Sequence, residues 1–195
     1  SVKTINSNGC NGYDSVFVSI VKANIIQNDT SICLGSSLNL VADQTNTSFY
    51  PIGSVGPAGG YIFYDQGSIV NGWRYLEVAP SDLTSYAEWG CVGTTISGIS
   101  NVVGTGQSNT NLILAACATT NIAARLCDQA VINGYSDWFV PSKAERQEIY
   151  NNKARFSNVP PGPSPHHSSS EASATNVWGQ TFSDGVNYSV SKSTG

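Results

Sequence analysis

Wound as a helix from Ser142 at about 100° per residue, Lys143, Arg146 and Lys153 fall within about 80° of one another, and Arg155 follows just beyond. A stripe of this kind can hold the sulfates or carboxylates of an acidic polysaccharide. Glu145 and Glu148 flank it, the pattern of an ordinary solvated helix face, yet it carries a local +2 in a chain of net charge -4 and leaves -6 elsewhere. Four tryptophans, Trp73, Trp89, Trp138 and Trp178, are the candidates for stacking on sugar rings. Most of them read as core, and Trp178 is the one expected nearest the surface.

Cysteine and histidine chemistry is sparse. Cys91, Cys117 and Cys127 allow three pairings, each leaving one thiol over; we take Cys91 with Cys117 and leave Cys127 as a buried thiol. A Cys-His nucleophile drawn from Cys117 or Cys127 with His167 lacks any recognisable orienting group or oxyanion hole. His166 and His167 are adjacent, and neither a His-x-x-x-His nor a Cys-x-x-Cys spacing occurs, so no metal is assigned. Calcium is the one alternative cofactor; Asp82, Asp137 and Asp184 are scattered and no familiar calcium-lectin triplet occurs. Gly104-Thr-Gly-Gln-Ser-Asn-Thr110 lacks the lysine of a phosphate loop, and Asn109 or Thr110 reads instead as a helix N-cap.

The elements that must position these residues are short. Residues 14–21 and 36–42 read as strands, the first with Asn11-Gly12 as a turn before it. Residues 61–64 and 72–79 read as a second pair of strands, the latter ended by Pro80. Ile122, Ala123, Leu126, Cys127 and Ala130 share one helical arc. Ser142 and Glu145 form the S-x-x-E capping box of a third helix running to about Asn151. A proline-rich loop comes next, and residues 176–190 return to strand with Asp184-Gly185 as a turn. Strands and helices that do not alternate regularly imply an α+β fold.

Composition narrows the function. Only 11% of the 195 residues are charged, whereas 27 Ser, 14 Thr and 18 Asn supply a hydroxyl and amide surface. Nine Lys and Arg residues and a net charge of -4 argue against a nucleic-acid partner. No apolar run reaches the ~18 residues of a membrane helix. The chain opens at Ser1 without a methionine, and is read as a piece of something longer.

Two sets of motifs carry resemblances. Asn8-Gly-Cys-Asn-Gly-Tyr-Asp-Ser-Val-Phe-Val18 and Ser31-Ile-Cys-Leu-Gly-Ser-Ser-Leu-Asn-Leu40 are similar to the closing and opening strands of immunoglobulin-like repeats in bacterial surface proteins. That resemblance implies a β-sandwich fragment over residues 1–48, in which Cys10 and Cys33 lack their usual partners. Further on stand Ile52-Gly-x-x-Gly-Pro-Ala-Gly-Gly-x-Ile-Phe-Tyr-Asp65, Glu88-Trp-Gly-Cys-x-Gly-Thr94, Gly104-Thr-Gly-x-x-Asn-Thr110, Ile122-Ala-Ala-Arg-Leu-Cys127 and Asn133-Gly-Tyr-Ser-Asp-Trp-Phe-Val-Pro-Ser142, joined by Ser168-Ser-Ser-Glu171. In this order they resemble the Lcl C-terminal domain. The resemblance implies a C-type-lectin-like domain over residues 49–195, with short antiparallel strands and about three helices. It departs from the family in having His167 where a tryptophan usually precedes the triple serine, and in stopping at Gly195 before the usual closing strand.

The resemblance implies a non-catalytic bacterial cell-surface or secreted adhesion module that recognises a polysaccharide or a protein. It also brings a homotrimer as a possible assembly. Two rivals accompany it: a structural cap or trimerisation unit without ligand, and a lectin-fold enzyme related to the formylglycine-generating enzymes. Lys143, Arg146, Lys153, Arg155 and Trp178 are the residues assigned to ligand binding.

Overall fold

Asn71-Gly72 is the kind of dipeptide that closes a two-residue hairpin, because both residues of a type I′ turn need positive φ. In the computed structural model Asn71 and Gly72 have φ of 53° and 87° and join two antiparallel strands with Val70 opposite Trp73. The structure describes residues 2–5, 11–14, 49–84, 86–157 and 166–194. By its internal contacts the chain divides into two units, Ser1–Phe49 and Tyr50–Gly195.

In the first unit β1 (Val2–Ile5) pairs antiparallel with β2 (Asn11–Asp14). Asn11 and Gly12, expected as a turn, lie within β2 opposite Ile5 and Thr4; ladder pairing overrides the local preference of the dipeptide. The strand expected over 14–21, the strand expected over 36–42, Cys10 and Cys33 lie outside the described residues, apart from Asp14 at the end of β2.

The second unit is α+β, with three α-helices and two small antiparallel sheets. The hairpin comprises β3 (Tyr61–Val70) and β4 (Trp73–Val78). Across it Arg74 grips Asp65 bidentately at 2.8 and 3.0 Å, and that guanidinium holds the Asp65 carboxyl below the usual carboxylate range. Phe63 and Leu76 turn into one core cluster with Ile149, Phe156 and Phe182.

Helix α1 (Gly106–Ala116) has Thr105 as its N-cap, one turn ahead of the expected Asn109 or Thr110. The reason is a donor count. The exposed N–H groups at a helix start need acceptors, and here the Gly104 and Gly106 N–H groups donate to Glu145 Oε1 at 2.7 and 3.2 Å. Asn109 and Thr110 are thereby freed to work inside the fold, where both are fully buried. Asn109 binds both the N–H and the carbonyl of Ser100, and Thr110 Oγ1 accepts from the Val140 N–H at 3.1 Å. Gly106 has to be glycine, since a Cβ there would stand 2.3 Å from Glu145 Oε2 and 2.5 Å from Phe139 Cε2.

Helix α2 (Ala123–Asp128) is a short six-residue turn of helix following Ile122. Of the expected arc, Ile122 enters the core beside Trp89, Ile113 and Cys117, and Ala123 and Cys127 are partly buried against it, while Ala124, which the arc left out, is buried there too. Helix α3 (Lys143–Asn152) starts as read, with Ser142 Oγ accepting from the Glu145 N–H and Glu145 Oε2 accepting from the Ser142 N–H.

A three-stranded sheet of order β5-β6-β7 completes the unit, from β5 (His166–Glu171), β6 (Asn176–Gln180) and β7 (Asn187–Ser191). Serine has no great preference for strands, and the triple serine of β5 is held by its hydrogen bonds. Ser168, Ser169 and Ser170 are all buried; Ser168 Oγ donates to the Trp178 carbonyl and Ser170 Oγ to the Ser100 carbonyl, at 2.8 and 2.9 Å. Lys192, just past β7, is also fully buried. Its ammonium meets Glu171 at 2.5 Å and the Thr94 carbonyl at 2.6 Å and lies over the Trp89 ring. Among the described residues no helix is long and apolar enough to cross a membrane.

Candidate functional site

Strand β4 alternates, so Trp73, Tyr75 and Glu77 at i, i+2 and i+4 point the same way. They line a groove of about 280 Å³ with Gln107 of α1 and with Tyr135, Asp137 and Trp138. A second tight turn places the latter three. Ile132 and Tyr135 exchange two backbone hydrogen bonds of 3.0 Å around Asn133 and Gly134, which have φ of 50° and 84°. Trp138 Nε1 then donates to the Tyr135 carbonyl at 3.1 Å, fixing one ring against the loop that carries the other. Gly104 lets the Trp73 ring close in, since a Cβ would sit 3.0 Å from its Cζ2. Glu77 accepts from the Ala58 and Gly60 N–H groups, and burial pushes its carboxyl up, with the Asp137 charge adding to that. The groove thus presents aromatic faces beside acid and amide acceptors, the chemistry that stacks on a sugar ring and binds its hydroxyls.

On the other side of Glu77, Trp138 and Phe139, which line both, lies a larger cavity of about 400 Å³. Ser81, Asp82, Leu83, Thr84 and Tyr86 form its exposed rim, and Phe63, Leu126, Ile149 and Phe182 contribute apolar wall. Arg146, His166, His167 and the Cys127 thiol also line it. Arg146 is only 4% exposed. Its Nη1 and Nη2 donate to the carbonyls of His167 and Gln180 at 2.9 and 3.3 Å, and burial lowers its pKa to about 9. His166 Nε2 lies 3.6 Å from Asp82 Oδ2.

These environments oppose a Cys-His nucleophile. Cys117 is engaged in a disulfide with Cys91. Burial pushes the Cys127 thiol up to about 11, and burial, assisted by the Arg146 and His166 charges, pushes His167 down to about 4. A thiolate-imidazolium pair needs both shifts in the other direction.

The His167 shift makes a pH prediction. In the unfolded chain the imidazole takes a proton below about 6.5, but in the fold it stays neutral down to about 4. The unfolded state therefore binds more protons across that window, and stability is lost as pH falls from 6.5 to 4. Allowing for partial exposure, the loss is about 2 kcal/mol. Urea midpoints of the wild type and His167→Gln should diverge over that range, the wild type falling faster on acidification; parallel curves would refute the assignment.

The basic stripe expected on α3 does not form as a surface. Arg146 turns inward, Lys153 Nζ binds the Phe182 carbonyl and lies over the Tyr150 ring, and Arg155 is exposed on the 3-10 turn after the helix. The phase breaks because α3 ends at Asn152 and the tighter 3-10 turn over Lys153–Arg155 rotates its own side chains out of register with the helix. Lys143 remains beside Trp178, its ammonium 3.4 Å from the ring centroid; Trp178 is half-buried rather than exposed. Trp89 is buried in the core. The expected Cys91–Cys117 pair is bonded, with a Cα–Cα distance of 5.4 Å, and Cys127 is a free thiol. Among the described residues no cluster of three or more His, Cys, Asp or Glu side chains is placed to hold a metal.

Sequence reasoning missed Tyr75, Tyr135 and Gln107 as site residues. The two-residue alternation of Trp73, Tyr75 and Glu77 was a usable signal, as was the Asn133-Gly134 turn. Comparison with protein-family models, with curated proteins and with solved structures finds no match to this chain.

Proposed function

We propose that this chain is a non-catalytic, bacterial cell-surface or secreted binding module whose second unit is C-type-lectin-like, of the Lcl C-terminal kind, and recognises a polysaccharide. The first unit is then a remnant of an immunoglobulin-like repeat serving as a stalk. The observation carrying this reading is the groove in which Trp73, Tyr75, Tyr135 and Trp138 converge with Gln107 and Asp137. The hydroxyl and amide composition and the Cys91–Cys117 disulfide, a bond favoured in oxidising compartments, support an extracellular setting. Because the groove offers Glu77 and Asp137 and no Lys or Arg, it favours a neutral glycan over a sulfated one.

A glycan array that includes sulfated polysaccharides, run at two salt concentrations, tests this. Neutral glycans should bind with little salt dependence, and Trp73→Ala or Trp138→Ala should weaken binding about tenfold, the equivalent of roughly 1.4 kcal/mol. No binding to any glycan by folded protein would overturn the reading.

A further inference from the structure

We infer that the cavity at Arg146 is a second, separate binding site, for a small organic acid carrying one carboxylate on an aromatic or branched aliphatic body. This goes beyond the glycan reading, which rests on the groove across the shared Trp138 and Phe139 wall.

Arg146 carries an uncompensated charge. It is almost wholly buried, and among the described residues no carboxylate lies within ion-pair distance of it. Of its five N–H donors, two bind the carbonyls of His167 and Gln180, and Nε has no acceptor at all. Leaving a guanidinium buried without an anion is strongly unfavourable, and an apolar side chain in its place would pack at no such cost. Asp82, the carboxylate whose charge reaches Arg146, sits instead near His166 with half its side chain exposed. His167 Nε2, on the same cavity, likewise lacks a hydrogen-bond partner. Two unsatisfied polar groups of one site, set among Phe63, Leu126, Trp138, Ile149 and Phe182, call for one ligand with a polar head and an apolar body.

Charge counting selects the head. With His167 neutral, the site supplies a single positive charge, which a carboxylate balances; sulfate or phosphate would leave excess negative charge in an apolar cavity beside Glu77. Guanidinium and carboxylate also match as a planar, two-point hydrogen-bonding pair. The volume of about 400 Å³ lies within the range of pockets that enclose small ligands.

The experiment is calorimetric titration of the full chain with phenylacetate, with uncharged phenylacetamide and with inorganic sulfate. Phenylacetate should saturate one site, phenylacetamide should bind at least about tenfold more weakly, and sulfate should not bind. Phenylacetate should also slow alkylation of Cys127 by N-ethylmaleimide, followed by peptide mass so that Cys10 and Cys33 do not confuse the signal. Arg146→Gln should abolish the preference for acid over amide. Because that change also strips the His167 and Gln180 carbonyls of a donor, Leu126→Trp is the second variant: it fills the cavity from α2, keeps the guanidinium bonds and should lose phenylacetate binding. Equal affinity for acid and amide, no saturation by folded wild type, or unchanged binding in Leu126→Trp would each overturn the inference. The same samples on the glycan array separate the two readings, since glycan binding without phenylacetate binding refutes only the cavity, and the converse refutes only the groove.

Discussion

Replacing Glu145 with alanine is expected to lower the unfolding free energy by about 4 kcal/mol, the largest single-residue effect we anticipate. The carboxylate is fully buried and accepts from three backbone N–H groups: Gly104 and Gly106 at Oε1, and Ser142 at Oε2. Alanine would orphan all three, each at about 1–3 kcal/mol where water cannot replace the acceptor, and would dissolve the capping box of α3, itself worth about 1 kcal/mol. Domains of this size are stable by only about 5–15 kcal/mol, so most of the margin would go. Glu145→Gln should fall between, because one oxygen is kept while the amide NH2 confronts a donor. Burial pushes the Glu145 carboxyl up, against the pull of the Ser142, Gly106 and Gly104 donors. Equilibrium urea unfolding by circular dichroism provides the measurement. A loss below about 1 kcal/mol for Glu145→Ala would show that the side chain does not join the two helix starts as described.

Reducing the Cys91–Cys117 bond should cost about 3.5 kcal/mol and lower Tm by roughly 10 °C. The bond spans 26 residues, and releasing a loop of that length returns chain entropy to the unfolded state. The segments it ties together also bond elsewhere: the Trp89 and Gly90 N–H groups donate to the Lys192 carbonyl at 3.1 and 3.2 Å, Trp89 Nε1 donates to the Ser168 carbonyl at 2.9 Å, and Cys117 donates its N–H to the Ile113 carbonyl while its own carbonyl accepts from Arg125 Nη2. A paired Cys91→Ala, Cys117→Ala variant should reproduce the reductant effect and be insensitive to further reductant. Cys127, whose thiol is pushed up to about 11 by burial, should stay slow to alkylate throughout. Melts that coincide with and without reductant would show that the bond stabilises nothing.

Several elements were legible because their physics is local. The Ser142–Glu145 capping box needs only residues three apart, and both of its hydrogen bonds form. The strands read over 61–64 and 72–79, from aromatic content and the stop at Pro80, form β3 and β4, though β3 runs on to Val70 and Gly72 belongs with Asn71 to the turn, a signal that went unread. The α+β class comes from the irregular mixture of these pieces.

Other readings failed where a distant partner decided the outcome. The start of α1 moved to Thr105 because Glu145, some 40 residues on, supplies the acceptors that Asn109 was expected to provide. No element was read over Ser168, Ser169 and Ser170, which form a buried strand segment because Ser100, Pro141 and Trp178 offer carbonyls to them. Arg146 was placed on a surface stripe with Lys143 and Lys153, since helical phase alone says which residues share a face and not what that face meets.

From sequence alone come the α+β class, the strands before Pro80, the capping box and the low-charge, hydroxyl-rich composition, all properties of residues and their near neighbours, whereas Cys91–Cys117, 26 residues apart, was one of three pairings the cysteines allowed. The tertiary structure alone decides that Trp73, Tyr75, Tyr135 and Trp138 share one groove and that the Arg146 guanidinium is buried beside a cavity. The difference is physical: backbone hydrogen bonding and side-chain periodicity act over a few residues, whereas burial and charge compensation depend on segments brought together across the whole unit.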